Sequence, residues 1–436
     1  MIAAPGTFSH YAHFIGSAQT TLNTTLSTAI ATQLATLPII SPSSGFTYEY
    51  DKAAGAFVRS TTSFGPVYTE RAETIGRGKI SLGTSYQRFR FQNLDGIDLH
   101  KIPAVFSHFP NTGPGGIAEP YELDFISTVN NLDLKLDQTT LFATVGLTDR
   151  IDASVSIPFV VTSFSASSFA SIVRVSGTSN IPVITPGGVI LIGNPHEFTL
   201  SGATTNTFTS SASAAGIGDI TLRLKTAVYR GENLRISLAT DIRLPTGDEF
   251  KLLGSGAVGV KPFVIISAGK RFSPHINVGY EYNGKSFLAT DITGTTSPNA
   301  RITNLGGTPF LVGSPVPHSL PGQIIYSAGF DFGATRNVSF AFDYLGQTLI
   351  DAPRVFKSTF NSPGAIGVGG TGALGPQSVP TIAGGTDTIG LNSGAAGIKY
   401  NLFGQLLLTG DILFRLDNKG LRQNVTPLIA LSYAFP

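Results

Sequence analysis

The sequence predicts an all-β protein, a transmembrane antiparallel β-barrel of about twelve strands preceded by an N-terminal plug or periplasmic segment containing a short helix. Three observations lead there. From Lys79 to Phe435 apolar and polar residues alternate with period two. The connections alternate between tight polar turns and long loops rich in Gly, Ser, Thr and Pro. Mean hydropathy is positive, at +0.18, although no apolar run is long enough for a membrane-crossing helix.

The composition excludes several classes. Only 13% of the 436 residues are charged and 10% are aromatic, which is too apolar for a disordered chain. The net charge of +2 gives no basis for nucleic-acid binding. Cysteine is absent, which fits passage through an oxidising periplasm. Met1–Ile2–Ala3–Ala4–Pro5 has neither the basic start nor the apolar centre of a leader, so export implies that a signal peptide has been removed.

Residues 1–78 read as the plug or periplasmic segment and residues 79–436 as the barrel. Within the first, Leu22, Leu26, Ile30, Leu34 and Leu37 form one stripe of a helix that Pro38 stops. A stripe this modest predicts a helix packed against a larger body. The segment sits either inside the lumen or beneath it. In the barrel, Ile80, Leu82, Thr84 and Tyr86 alternate with Ser81, Gly83, Ser85 and Gln87. Ile151, Ala153, Val155, Ile157 and Phe159 resume the apolar face after the turn Asp149–Arg150. The pattern continues to the last strand, with Ile429, Leu431, Tyr433 and Phe435. An aromatic final strand is what barrel-assembly machinery reads, and Pro436 departs slightly from that ending.

Tight turns fall near 149, 231, 272, 335 and 403, and long loops at 93–122, 164–215, 284–321 and 348–388. Short turns at one rim and long loops at the other distinguish a membrane barrel from a soluble sandwich, as do strands of about ten to fourteen residues. Segment 121–148 exceeds one crossing and is expected to rise above the bilayer as a single strand; two strands there would make the count odd. Lipid forbids open sheet edges, so the sheet must close. With no Trp, Tyr and Phe must supply any interfacial girdle.

Several stretches resemble the outer-membrane transporter family named for the meta pathway of phenol degradation, itself similar to long-chain fatty-acid channels. They are Gly146–Asp152 with Ile157–Pro158, Gly216–Ile220 with Lys225, Leu244–Asp248 with Gly254–Gly256, and His275–Tyr280. Ser63–Pro66 and Glu70–Ala72 match as well. These are short, turn-defining motifs spread over most of the chain. The resemblance implies the barrel architecture and carriage of hydrophobic or aromatic molecules past a plugged lumen.

The polar faces carry Asp152, Arg223, Lys225, Arg235, Asp241, Arg243, Glu281, Asp331, Asp343, Lys399, Asp411 and Arg415. Of these, Arg223, Lys225, Arg235, Asp241, Arg243, Glu281, Asp343, Asp411 and Arg415 are the candidate ligand- or lumen-lining residues. The plain reading is a salt-bridged interior; the sharper one is a polar path for a solute. Phe89, Phe91 and Phe142 face inward, as rim packing or as a hydrophobic mouth. Asp149–Arg150 and Pro245–Asp248 read as structural turns. His10 and His13 have a metal-ligand spacing but fall well short of a site, and no metal or cofactor is expected. The strand histidine, His275, is followed by Asn277 on the same face, where a barrel lipase would need Ser, so no enzyme is expected.

Two functions fit. One is a channel in the cell outer membrane for passive uptake of small hydrophobic or aromatic solutes. The other is a structural barrel subunit anchoring an envelope or surface assembly through residues 1–78 or the long loops. Expected partners are outer-membrane lipid, hydrophobic small molecules and envelope proteins, without nucleic acid.

Overall fold

The computed structural model describes residues 14–435 except 16, 43–44, 52–55, 60, 109–122, 176–180, 185–189, 194–195, 199–202, 290–300, 306–307, 313–316 and 365–372. His10 and His13, and the side chain of Leu22, lie outside the described residues.

Twelve antiparallel strands form the barrel: β1 (Ile80–Phe91), β2 (Phe125–Gly146), β3 (Ile151–Val173), β4 (Ile220–Arg230), β5 (Leu234–Leu244), β6 (Gly259–Ala268), β7 (Phe272–Asn283), β8 (Gln323–Gly333), β9 (Val338–Ser362), β10 (Gln377–Phe403), β11 (Leu406–Arg415) and β12 (Val425–Phe435). Each pairs with the next, and β12 returns to β1 with Leu428 opposite Gln87 and Phe435 opposite Ile80. Closure gives the backbone of these strands partners on both sides, which hydrocarbon demands because an unpaired amide there costs several kcal/mol. Segment 121–148 contributes one strand of 22 residues, so the even count holds. Among the described residues no helix is long and apolar enough to cross a membrane.

The side chains sort as the alternation requires. Leu82, Leu224, Leu238, Val264, Val278, Ile412 and Ile429 are exposed on the outside. Asp152, Lys225, Arg235, Asp241, Glu281, Asp331 and Lys399 are buried within. Aromatics gather at two outer levels. Near the short turns stand Phe272, Phe330 and Phe342, with neighbouring ring centroids 5.2 Å apart, and the Tyr433–Phe435 pair at 4.8 Å. Near the loop rim stand Tyr280, Tyr282, Tyr326 and Tyr344. The ten residue steps from Phe272 to Tyr282, tilted at about 40°, span about 25 Å, the height of an outer-membrane apolar band.

The expected loops at 164–215 and 348–388 are in large part paired strand. β3 runs to Val173 and pairs with Thr205–Ile217, while β9 and β10 stay paired from Val338–Tyr400 up to Ser362–Gln377. Their Ser-, Thr- and Gly-rich sequences looked like loop because the outward face there meets water instead of lipid.

The hydropathy alternation inverts at this level. On β1 the outward residues pass from Tyr86 to Arg88 and Arg90, while the inward ones pass from Ser85 and Gln87 to Phe89 and Phe91. On β2 the outward set changes from Leu141 to Asp137, Lys135 and Asp133, and the inward set from Thr144 and Thr140 to Leu136, Leu134 and Leu132. The Tyr86 hydroxyl donates to Asp137 at 2.6 Å, and Arg88 lies 3.4 Å from the same carboxylate, marking the boundary. Above it the barrel has an oily inside and a wet outside.

That oily interior receives α1 (Ser17–Ala35). Ile30, with Leu26, Leu34 and Leu37, packs on Phe89, Phe91, Leu132, Leu134 and Leu136. On another side Ala31 and Ala35 meet Ala257, Ala289 and Leu320. The helix stripe thus docks inside the mouth of the barrel.

Candidate functional site

The chain from Thr61 to Ile75 runs across the lumen near the short-turn rim, almost entirely buried. Its backbone forms no regular ladder over this stretch, so strand side chains satisfy its polar groups. The Asp343 carboxylate accepts from Val67 N at 3.2 Å, Tyr68 N at 3.1 Å and the Thr69 hydroxyl at 2.7 Å. It also contacts His275 Nε2 at 3.0 Å. Asn277 pairs with Glu70 as a backbone would, accepting from Glu70 N at 2.8 Å and donating to Glu70 O at 3.0 Å. Lys399 donates to Phe64 O and Pro66 O, at 3.2 and 2.6 Å. Ala72 N donates to Ser267 and Ile75 N to Asp152.

The segment supplies charges of its own. Arg71, only 2% exposed, meets fully buried Asp331 through Nη2 at 2.5 Å and also donates to Thr61 and Ser63. Lys225 donates to Glu73 O at 2.8 Å and Arg71 O at 3.3 Å, with Glu70 and Asp152 carboxylates each 3.7 Å away. Arg235 lies 3.5 Å from Glu73. Arg223 holds Asp241 bidentately, at 2.5 and 2.8 Å, and also donates to Glu70. Lys261 adds a contact to Asp241 at 2.8 Å.

Higher in the lumen, Arg243 bridges Glu281 at 2.7 Å and Asn283 at 2.6 Å and donates to Ala35 O at the end of α1. Gln323 donates to the other Glu281 oxygen at 2.9 Å. Between this level and the inner segment lies a cavity of about 200 Å³. Charged walls at Glu70, Arg223, Asp241, Arg243, Lys261 and Glu281 face apolar ones at Leu34, Leu37, Ile40, Phe263 and Leu345.

Of the sequence-predicted residues, Arg223, Asp241, Arg243 and Glu281 therefore meet at this cavity. Lys225, Arg235 and Asp343 hold the inner segment. Asp411 is buried close by, with neither oxygen hydrogen-bonded. Arg415 stands apart, near the loop rim. Phe142 packs on Ile40, Val67 and Tyr68 at mid-lumen, whereas Phe89 and Phe91 belong to the upper apolar layer.

Sequence reasoning missed Glu70, Arg71 and Glu73 as site residues, although Glu70–Ala72 stood among the resemblance motifs. It also read three motifs separately that meet around Asp219. That carboxylate accepts from Gly247 N at 3.1 Å, Ser255 N at 2.8 Å and the Ser255 hydroxyl at 2.6 Å. Thr246 ties Ile220 N to Gly218 O. Gly254 is required here, since a Cβ would stand 2.3 Å from Asp219 Oδ1. Gly146 answers to the inner segment in the same way, because a Cβ there would lie 1.8 Å from Gly76 O.

Comparison with known proteins adds the following. No curated protein matches the chain in sequence. Among solved structures, an outer-membrane channel from Pseudomonas putida F1 aligns at 10% identity and TM-score 0.42, covering 84% of this chain and 99% of its own. The toluene transporter TbuX of Ralstonia pickettii aligns at 12% and 0.34, covering 83% and 90%. The translocator domain of the autotransporter NalP from Neisseria meningitidis aligns at 7% and 0.34, covering 83% and 89%. These likenesses are distant, and the barrel stands on its own strand pairing. Residues 148–308, from the turn after β2 to beyond β7, match the family model described as "Putative MetA-pathway of phenol degradation", the family that the motifs resemble.

Proposed function

We propose that the protein is an outer-membrane channel for passive uptake of small hydrophobic or aromatic solutes, with residues 1–78 as its plug. In this reading the short turns face the periplasm, the tall strands face outward, and a leader directs export before removal. The observation that carries it is the cavity between α1 and the inner segment. Its volume of about 200 Å³ exceeds the ~150 Å³ that accommodates benzene in an apolar protein cavity. Its wall mixes apolar side chains such as Leu34, Ile40 and Phe263 with charged ones such as Arg223 and Glu281, so a solute with an aromatic body and one polar substituent can satisfy both. Above it, the apolar layer around α1 offers such a solute a way in from the outer face. The family described for residues 148–308 concerns phenol degradation, which is chemistry of the same class.

The test is uptake of radiolabelled toluene by Gram-negative cells carrying the protein in their outer membrane. Cells with the wild type should take it up several-fold faster than cells without the protein. Ser156→Trp, which puts an indole into the cavity from a buried wall position, should remove the gain. Equal uptake with and without the protein, at confirmed surface expression, overturns the reading and favours a scaffold.

A further inference from the structure

A second, smaller cavity of about 50 Å³ lies nearer the loop rim, beneath the C-terminal end of α1. Its polar wall differs in kind from that of the main cavity. Arg415, Arg422 and Gln423 line it, and among the described residues no Asp or Glu does. Arg415 Nη1 is buried and has no hydrogen-bond partner, and the same holds for Gln423 Nε2. Gln423 is 9% exposed and its oxygen is already used by Arg90 N, so its amide group is a free donor held in place. Arg422 is fixed by Ser393 Oγ, the carbonyls of Asn392 and Lys419, and an ion pair with Asp417 at 3.5 Å. The unmatched donors are therefore Arg415 Nη1 and Gln423 Nε2, with the paired Arg422 guanidinium beside them. Leaving such donors unmatched is costly, and an anionic oxygen is what they would take.

The remaining wall is apolar, formed by Phe89, Phe91 and Leu413 among others; the two rings are stacked at 15° and 6.2 Å. Thr36, Pro38, Leu345 and Gln347 line both this cavity and the main one, so the two share a single partition. A volume of about 50 Å³ holds a carboxylate group but not an aromatic molecule, so the body of a ligand must extend past that partition. We infer that this cavity is a carboxylate subsite, in which Arg415 and Gln423, beside the positive charge of Arg422, bind the head of an aromatic or aliphatic monocarboxylate whose body reaches toward the main cavity. The substrate class it adds rests on the channel reading, but binding itself does not need transport.

The test is isothermal titration of purified, detergent-solubilised protein with benzoate, and with benzyl alcohol and inorganic phosphate as comparison probes. Benzoate should bind the wild type more tightly than either. Arg415→Gln should weaken benzoate about tenfold, the loss of roughly one charge-assisted hydrogen bond, and Arg415→Lys should recover part of it. Gln423→Ala gives an independent arm with a smaller loss in the same direction. Benzoate binding no tighter than that of benzyl alcohol, or unaltered in Arg415→Gln, overturns the subsite. Phosphate binding as tightly as benzoate also overturns it, by assigning the site to free anions. Toluene uptake by cells reports on the channel separately, so either reading can fail alone.

Discussion

The Arg71–Asp331 pair gives the sharpest measure of what holds the inner segment in place. Arg71→Ala removes a guanidinium bound to Asp331, Thr61 and Ser63, and it leaves Asp331, which is fully buried, with the His275 imidazole at 3.7 Å in place of a guanidinium partner. Removing one partner of a buried pair costs about 3–5 kcal/mol, mostly because the other charge is stranded. Here the cost falls on the docked state, since once the segment leaves, water can solvate Asp331. Opening of residues 61–76 should therefore become more frequent by roughly two to three and a half orders of magnitude. Hydrogen exchange read by mass spectrometry measures this directly, because the amides of Val67, Tyr68, Glu70, Ala72 and Ile75 donate to strand side chains. Their peptides should lose protection while those of β4 to β8 keep theirs. The double variant Arg71→Met with Asp331→Leu should restore much of the protection, since it strands no charge. Unchanged exchange in a barrel that folds normally would refute the argument that this pair anchors the segment.

Two further outcomes follow from side-chain placement. Leu238→Arg, on the lipid face midway along β5, should destabilise the barrel in bilayers by about 2–4 kcal/mol in chemical unfolding, and Ser163→Arg, outward on β3 above the inversion, by under about 1 kcal/mol; equal costs would put the membrane boundary elsewhere. Gly83→Ala places a methyl 2.3 Å from the Phe142 ring and should cost about 1–3 kcal/mol in the same assay, a loss that Phe142→Leu relieves.

The barrel was legible because its pattern is local. A strand between lipid and a wet lumen must alternate, and a turn between two strands must be short and polar, so Ile220–Arg230, Leu234–Leu244 and their neighbours announced themselves. The strands above the lipid were harder to read. With water outside, Ser163, Ser165 and Ser167 need not be apolar, and a stretch of Ser and Ala resembles loop. A signal was nevertheless present: the swap of apolar parity between Gln87 and Phe89, and again between Thr140 and Leu136, without any slip in register. The inner segment was the least legible part. Glu70, Arg71 and Glu73 resemble an ordinary solvated charge run, and their partners Asp331, Asn277 and Arg235 lie 162 to 260 positions away. No local pattern encodes a contact of that range.

The two halves of the interior are held by different physics, and the difference bears on what could move. The lower layer is polar: Asp343, Asn277, Lys399 and Asp331 satisfy a segment whose groups water could satisfy almost as well once it entered. Each such hydrogen bond contributes only about 0.5–1.5 kcal/mol net, so the layer can be exchanged for water contact by contact, with the Arg71–Asp331 pair as its costliest step. The upper layer is apolar, where Ile30 and its neighbours on α1 meet Phe89, Leu134 and Leu136. Water cannot replace those contacts without exposing the apolar surface, at about 25 cal/mol for each Å². An apolar solute can, because it substitutes one oily surface for another. If the protein is a channel, its upper closure therefore yields to the class of molecule that the cavity beneath it fits, while water and ions meet a layer they cannot displace. A selective closure needs that asymmetry, and a uniformly polar or uniformly apolar lumen could not supply it.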